Sequence, residues 1–125
     1  MNKNDGRPSQ SPLACDMTAI PLIERETHLN TSRILFSDIK KIRELPDGYE
    51  FRLEDDARVL LKATEFISLE KLCCPFLAFR LDIDAEGGPV KLRLTGREGV
   101  KAFIREEIDG LLGLVVDWDG LSDEL

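Results

Sequence analysis

Two adjacent thiols, Cys73 and Cys74, followed at once by Pro75, are the most chemically distinctive residues of this chain. Thiolates are natural ligands for soft ions such as zinc, copper(I), mercury(II) or a trivalent metalloid. Glu70 precedes the pair by three and four residues, so on a helix its carboxylate shares the face of both sulfurs. An ion held by two sulfurs needs further donors, and the third cysteine, Cys15, and the sole histidine, His28, are the candidates. The expected metal-ligating set is therefore Cys73, Cys74, Glu70, His28 and Cys15, with a soft ion such as zinc as cofactor. Zinc motifs usually separate their cysteines by two to four residues, and adjacent cysteines aim at one ion less readily. The competing expectation is simple packing, with one thiol in the core and the other partly exposed.

Other chemistries fit these residues less well. A nucleophilic cysteine is activated by a helix N-terminus or a nearby cation. Here the pair closes a helix beside a carboxylate, where the dipole and the charge both favour the thiol. A disulfide within the pair is disfavoured, because adjacent Cα atoms lie about 3.8 Å apart and bridges span roughly 4.4–6.8 Å. Glu24 stands one helical turn before His28 and is its expected partner, while Arg25 is placed to neutralise Glu70. Glu24 and Glu70 could serve as paired carboxylates only if their helices pack together. Gly87-Gly88 and Gly96 lack the lysine and hydroxyl pattern of a phosphate loop, and no Ser-His-Asp order is visible. The chain reads as a binding protein rather than an enzyme, with no catalytic residue assigned.

The elements that must position these groups follow from periodicity. Pro21 suits the first turn of a helix carrying Glu24, Arg25 and His28, which Asn30-Thr31-Ser32 would bend or stop. Residues 39–45 and 49–53 flank Pro46-Asp47-Gly48, and Tyr49, Phe51 and Leu53 alternate onto one face, which predicts a hairpin. Val59, Ala63, Phe66 and Cys73 recur at helical spacing from a cap at Asp55 or Asp56, and Pro75 ends that helix at the cysteine pair. Phe76–Asp84 and Val90–Leu94 form a second hairpin across Glu86-Gly87-Gly88-Pro89. A last helix spans about Glu98 to Leu112, closed by Gly110 or Gly113.

Two consecutive ββα units result, and Glu50-Phe51-Arg52-Leu53 is echoed 41 residues later by Lys91-Leu92-Arg93-Leu94. The predicted fold class is α+β: a four-stranded antiparallel sheet with both following helices on one face, and the N-terminal helix against an edge or an end. The chain divides into a flexible lead-in over 1–16, a single α+β domain over 17–112 and an acidic tail over 113–125. That tail is a docking strand or a disordered end.

Composition narrows the setting. The 125 residues are 42% hydrophobic and 33% charged, which suits one globular domain rather than a disordered chain. A formal charge of −7 argues against nucleic acid and against a membrane surface. The basic residues stand among carboxylates, as Lys40, Lys41 and Arg43 do beside Asp38 and Glu44, so no basic stripe is expected. The polar start, Met1 to Gln10, has no signal-peptide core, and Asp123-Glu124-Leu125 signals retention only in a secreted chain. Reduced thiols in a cytoplasmic protein are expected, with a protein partner or a second copy of the chain as the expected company.

Four stretches together carry a resemblance: Glu24-Arg25-x-x-His28, Leu45-Pro46-Asp47-Gly48-Tyr49, Leu69-Glu70-x-x-Cys73-Cys74-Pro75-Phe76 and Leu94-Thr95-Gly96. The chain resembles, over roughly residues 15–108, an uncharacterised family of small bacterial proteins recognised by the Cys-Cys-Pro-Phe block with an upstream Glu-Arg-x-x-His. The resemblance implies a bacterial, intracellular setting and attaches no activity.

Overall fold

Alternation along the chain turns into two hairpins laid side by side. In the computed structural model, which describes residues 11–121, β1 (Lys41–Leu45) pairs with β2 (Gly48–Leu53), and β3 (Ala78–Ile83) with β4 (Val90–Thr95). β2 and β4 pair antiparallel at the centre, so the sheet order is β1-β2-β4-β3. Two like hairpins joined through their second strands make a pseudo-two-fold sheet, in keeping with the 41-residue echo. Gly48 is required where the hairpins meet, because a Cβ there would stand 1.9 Å from the Leu94 carbonyl oxygen.

Three helices, α1 (Leu22–Ser37), α2 (Ala57–Cys73) and α3 (Val100–Leu112), cover one face of this sheet, and the fold is α+β. The covered face supplies Tyr49, Phe51, Val90, Leu92 and Leu94, all essentially without solvent contact. α1 does not lie at an edge or an end. It packs against both α2 and α3, and Phe36 sets its ring edge-on to Phe51 of β2 at 5.2 Å and to Phe66 of α2 at 5.1 Å. An aromatic anchored on two layers holds the helix over the sheet's middle. Nor does α1 break at Asn30-Thr31-Ser32. Ser32 Oγ donates to the His28 carbonyl at 2.8 Å, and Thr31 Oγ1 donates to Glu65 of α2 at 3.0 Å. The hydroxyls that would compete with helix formation find partners inside it or across the helix pair.

The helix ends follow their local chemistry. Asp56 caps α2 by accepting from the Arg58 backbone N–H at 2.7 Å. At the other end the Cys74 N–H closes onto the Glu70 carbonyl at 2.8 Å, and Pro75 prevents a further turn. Gly113, with φ of 69°, terminates α3, whereas Gly110 stays inside it. Beyond α3 the described part of the tail forms one 3-10 turn, Trp118–Gly120, and no strand. Its indole is buried 4.9 Å from the Tyr49 ring and donates to Asp109 at 3.0 Å. At the other terminus the Asp16 N–H donates to the Cys73 carbonyl at 2.9 Å, and the Arg97 guanidinium donates to the Ser11 carbonyl. The expectations for Met1–Gln10 and for Asp123-Glu124-Leu125 lie outside the described residues. Among the described residues no helix is long and apolar enough to cross a membrane.

The uncovered sheet face sorts charges that alternate in the sequence. One row across the strands reads Arg43, Glu50, Arg93, Arg80, and the next reads Lys41, Arg52, Lys91, Asp82. A basic face therefore does form, because strand alternation sends Lys41 and Arg43 to this side. Glu44 goes to the helix side instead, where it meets Lys101 of α3. Glu50 is the face's buried anchor, taking Arg93 at 2.7 Å and Arg43 at 3.3 Å. Burial works against its charge, but the two guanidiniums outweigh that and hold its carboxyl below the usual range. With a depressed pKa, the stabilisation is complete above the ordinary carboxylate value and fades as pH falls through the lowered one. Glu50→Gln is expected to cost about 2 kcal/mol in urea unfolding at neutral pH. The gap to the parent protein should narrow below about pH 4. A gap unchanged into the acid range would show that Glu50 is not held ionised by this pair.

Candidate metal centre

Burial of one carboxylate, Glu70, near the end of α2 defines the site. Along α2 the buried stripe runs Ala63, Phe66, Leu69, Glu70, Cys73, so the 3.6-residue period that fills the core also carries Glu70 inward. Glu70 is 3% exposed, and both Cys73 and Cys74 are fully buried. α1 runs alongside α2 and presents His28, 2% exposed, whose Nε2 lies 2.9 Å from Glu70 Oε1. The imidazole also stacks on Phe66, with centroids 5.8 Å apart and planes at 18°. Glu70 is held ionised despite its burial by hydrogen bonds from His28, Glu107 and Cys74. An ionised carboxylate only accepts, so Nε2–H is the donor. The other ring nitrogen, Nδ1, is buried with no partner among the described residues.

The thiols gather around the same carboxylate. Cys74 Sγ lies 3.3 Å from Glu70 Oε2, Cys73 Sγ lies 3.6 Å from Oε1, and the two sulfurs are 3.7 Å apart. Cys15 completes the group from the N-terminal segment that hydrogen-bonds to the end of α2, and the sulfurs of Cys15, Cys73 and Cys74 all lie within 4.8 Å of one another. Cys15 is the exposed member of the three. Hydrogen bonding from the two buried thiols to its sulfur lowers its pKa and, with burial and the Glu70 charge, raises theirs.

Thus all five residues singled out in the sequence, Cys15, His28, Glu70, Cys73 and Cys74, converge. Their local partners differ from those expected. His28 hydrogen-bonds to Glu70 across the helix pair, and Arg25 donates through Nε to the Ile20 carbonyl at 2.9 Å. Nor is one thiol of the pair exposed, since the helix terminus itself lies under the N-terminal segment.

Glu107 of α3 was missed. Its carboxyl approaches Cys74 Sγ at 4.0 Å and groups with Glu70 and Cys74 within 4.8 Å. Burial and the neighbouring Glu70 charge push it well above the usual carboxylate range, so at neutral pH it is protonated and hydrogen-bonded to Glu70. Its signal was available: Val100, Ile104, Glu107, Ile108 and Leu111 share one stripe of α3, and a carboxylate on an apolar stripe needs a partner.

Three sulfurs, two carboxyl groups and an imidazole therefore meet in one mostly buried place. Among the described residues no lysine or arginine pairs with Glu70 or Glu107. Such a donor set could hold a metal ion. No family model, curated protein or solved structure matches the chain.

The protonation pattern separates the two carboxyls. Glu107→Gln keeps a neutral donor facing Glu70 and is expected to change unfolding free energy by about 1 kcal/mol or less. Glu70→Gln removes the carboxylate that His28 and Cys74 address, and is expected to cost about 2–3 kcal/mol. Chemical denaturation of both variants at neutral pH checks this, and equal losses would contradict the assignment.

Proposed function

We propose that this chain is a small thiol-based module that captures a soft metal or metalloid ion. Cys15, Cys73 and Cys74 supply sulfur, Glu70 supplies an oxygen donor and His28 orients Glu70. The observation that carries this reading is the grouping of three sulfurs within 4.8 Å from two separate chain segments. A tetrahedral ion with Zn–S bonds of about 2.3 Å separates its sulfurs by about 3.8 Å, and Cys73 and Cys74 already stand 3.7 Å apart. A histidine donating to a ligating carboxylate is the usual arrangement outside a metal's own ligands, fixing the carboxylate's direction. Binding would require the thiols to release protons, so uptake strengthens as pH rises. Zinc serves as the probe, with copper(I) and arsenite as alternatives among soft acceptors. The cytoplasmic setting and the kinship with the Cys-Cys-Pro-Phe proteins belong to this proposal, since reduced thiols suit it.

Native mass spectrometry of the reduced protein is expected to show one zinc per chain. Cys73→Ser/Cys74→Ser should abolish uptake, and Cys15→Ser should weaken it at least about tenfold, which corresponds to about 1.4 kcal/mol. Equal uptake by the parent and the double variant would refute the site.

A second reading, an interaction or oligomerisation domain with packing cysteines, is favoured by the basic sheet face in a chain of net charge −7. With that net charge, carboxylates elsewhere on a second copy of the chain are the matching partner. Sedimentation should then show association that weakens with salt and disappears in Arg52→Glu/Lys91→Glu. A monomer at low salt across all concentrations would dispose of this reading.

A further inference from the structure

The same three sulfurs differ in how they meet solvent, and that difference has chemical consequences. Cys15 is exposed, while Cys73 and Cys74 are buried immediately behind it. The two chain segments are tied together by the Asp16 N–H to Cys73 carbonyl bond at 2.9 Å. A small oxidant arriving from solvent meets Cys15 first, and any sulfur it activates there has two thiols within reach. Those two bridge poorly to each other, because neighbouring Cα atoms are only about 3.8 Å apart. A bridge formed in this cluster therefore has Cys15 as one half.

We propose that the cluster is a hydroperoxide-responsive site in which Cys15 and one thiol of the Cys73–Cys74 pair close a reversible disulfide. The steps balance with the hydroperoxide as the named oxidant. The Cys15 sulfur attacks the peroxide, the O–O bond breaks, a sulfenic acid forms, and the departing oxygen leaves as water or an alcohol carrying the thiol proton. The sulfur of Cys73 or Cys74 then attacks the sulfenic sulfur, the S–O bond breaks, and the hydroxyl leaves as water with that thiol's proton. The two thiols together lose two electrons, and the peroxide gains them. A dithiol reverses the bridge by exchange. Where the soft-ion reading holds, the bridge also takes two of three sulfurs from the ion and releases it. That consequence rests on the proposed function, whereas the disulfide does not.

The test uses the full, metal-free reduced chain treated with a few equivalents of hydrogen peroxide, followed by non-reducing peptide mapping. The expected product has lost two hydrogens, links the Cys15 peptide to the one holding Cys73 and Cys74, and returns to thiols with dithiothreitol. Cys15→Ser, an exposed substitution checked for folding by circular dichroism, should form no bridge. Zinc-loaded protein should react about tenfold more slowly, because bound sulfurs are withheld. Oxygen accumulating on Cys15 while Cys73 and Cys74 stay reduced would overturn the proposal, as would an undiminished bridge in Cys15→Ser. A bridge without zinc uptake removes the soft-ion reading alone, and zinc uptake without a bridge removes this one alone.

Discussion

The contact between His28 and Glu70 is the constraint around which the site is organised. An ionised carboxylate at 3% exposure is costly to bury, and it stays charged only where donors surround it. His28 provides the principal one, at 2.9 Å from the neighbouring helix. The same bond fixes how α1 and α2 sit along each other, which is reinforced one turn and more away by Thr31 to Glu65. Once Glu70 is fixed, the thiols one turn further along α2 have their acceptor, and the Glu107 carboxyl of α3 has the charge that keeps it protonated. One buried hydrogen bond thus couples three helices to one cluster of donors.

That cluster sits where regular structure ends. Pro75 stops α2, and Asp16 supplies a hydrogen bond to the Cys73 carbonyl that the helix can no longer satisfy internally. The N-terminal segment is drawn onto the helix end by backbone chemistry, and Cys15 arrives with it. A site assembled at a helix terminus from a crossing segment has one buried side and one side open to solvent. Under the proposals made above, that open side is where an ion or a small oxidant would enter. On the far side of the molecule, the basic sheet face is structurally separate from this chemistry and depends instead on Glu50 to hold two arginines together.

Much of this was legible in the order of residues. Period-two alternation placed the second hairpin and β2, and the Pro46-Asp47-Gly48 turn supplied β1, although Leu35, Ile39 and Ile42 also fit helical spacing. Period 3.6 placed α2 and α3, and Pro75 placed the cysteines at a helix end. Cysteine, histidine and glutamate types at suitable spacing named five of the six groups in the cluster. Less legible were pairings between side chains. Glu24 and Arg25 looked like the natural partners of His28 and Glu70 because helical spacing makes near neighbours visible. The long-range partner, forty-two residues away, was not visible. The hydroxyls of Thr31 and Ser32 misled in the same way, since their partners lay on other turns and another helix.

What the sequence by itself determined were the elements, their order and the chemical types available, because backbone propensity and amphipathic period are local properties. Only the tertiary structure decided that α1 lies over the middle of the sheet. It also decided that Cys15 reaches Cys73 and Cys74, that Glu107 joins Glu70, and that scattered cations line one sheet face. Each depends on which distant surfaces are buried together, and burial sets both the partners of a polar group and its charge.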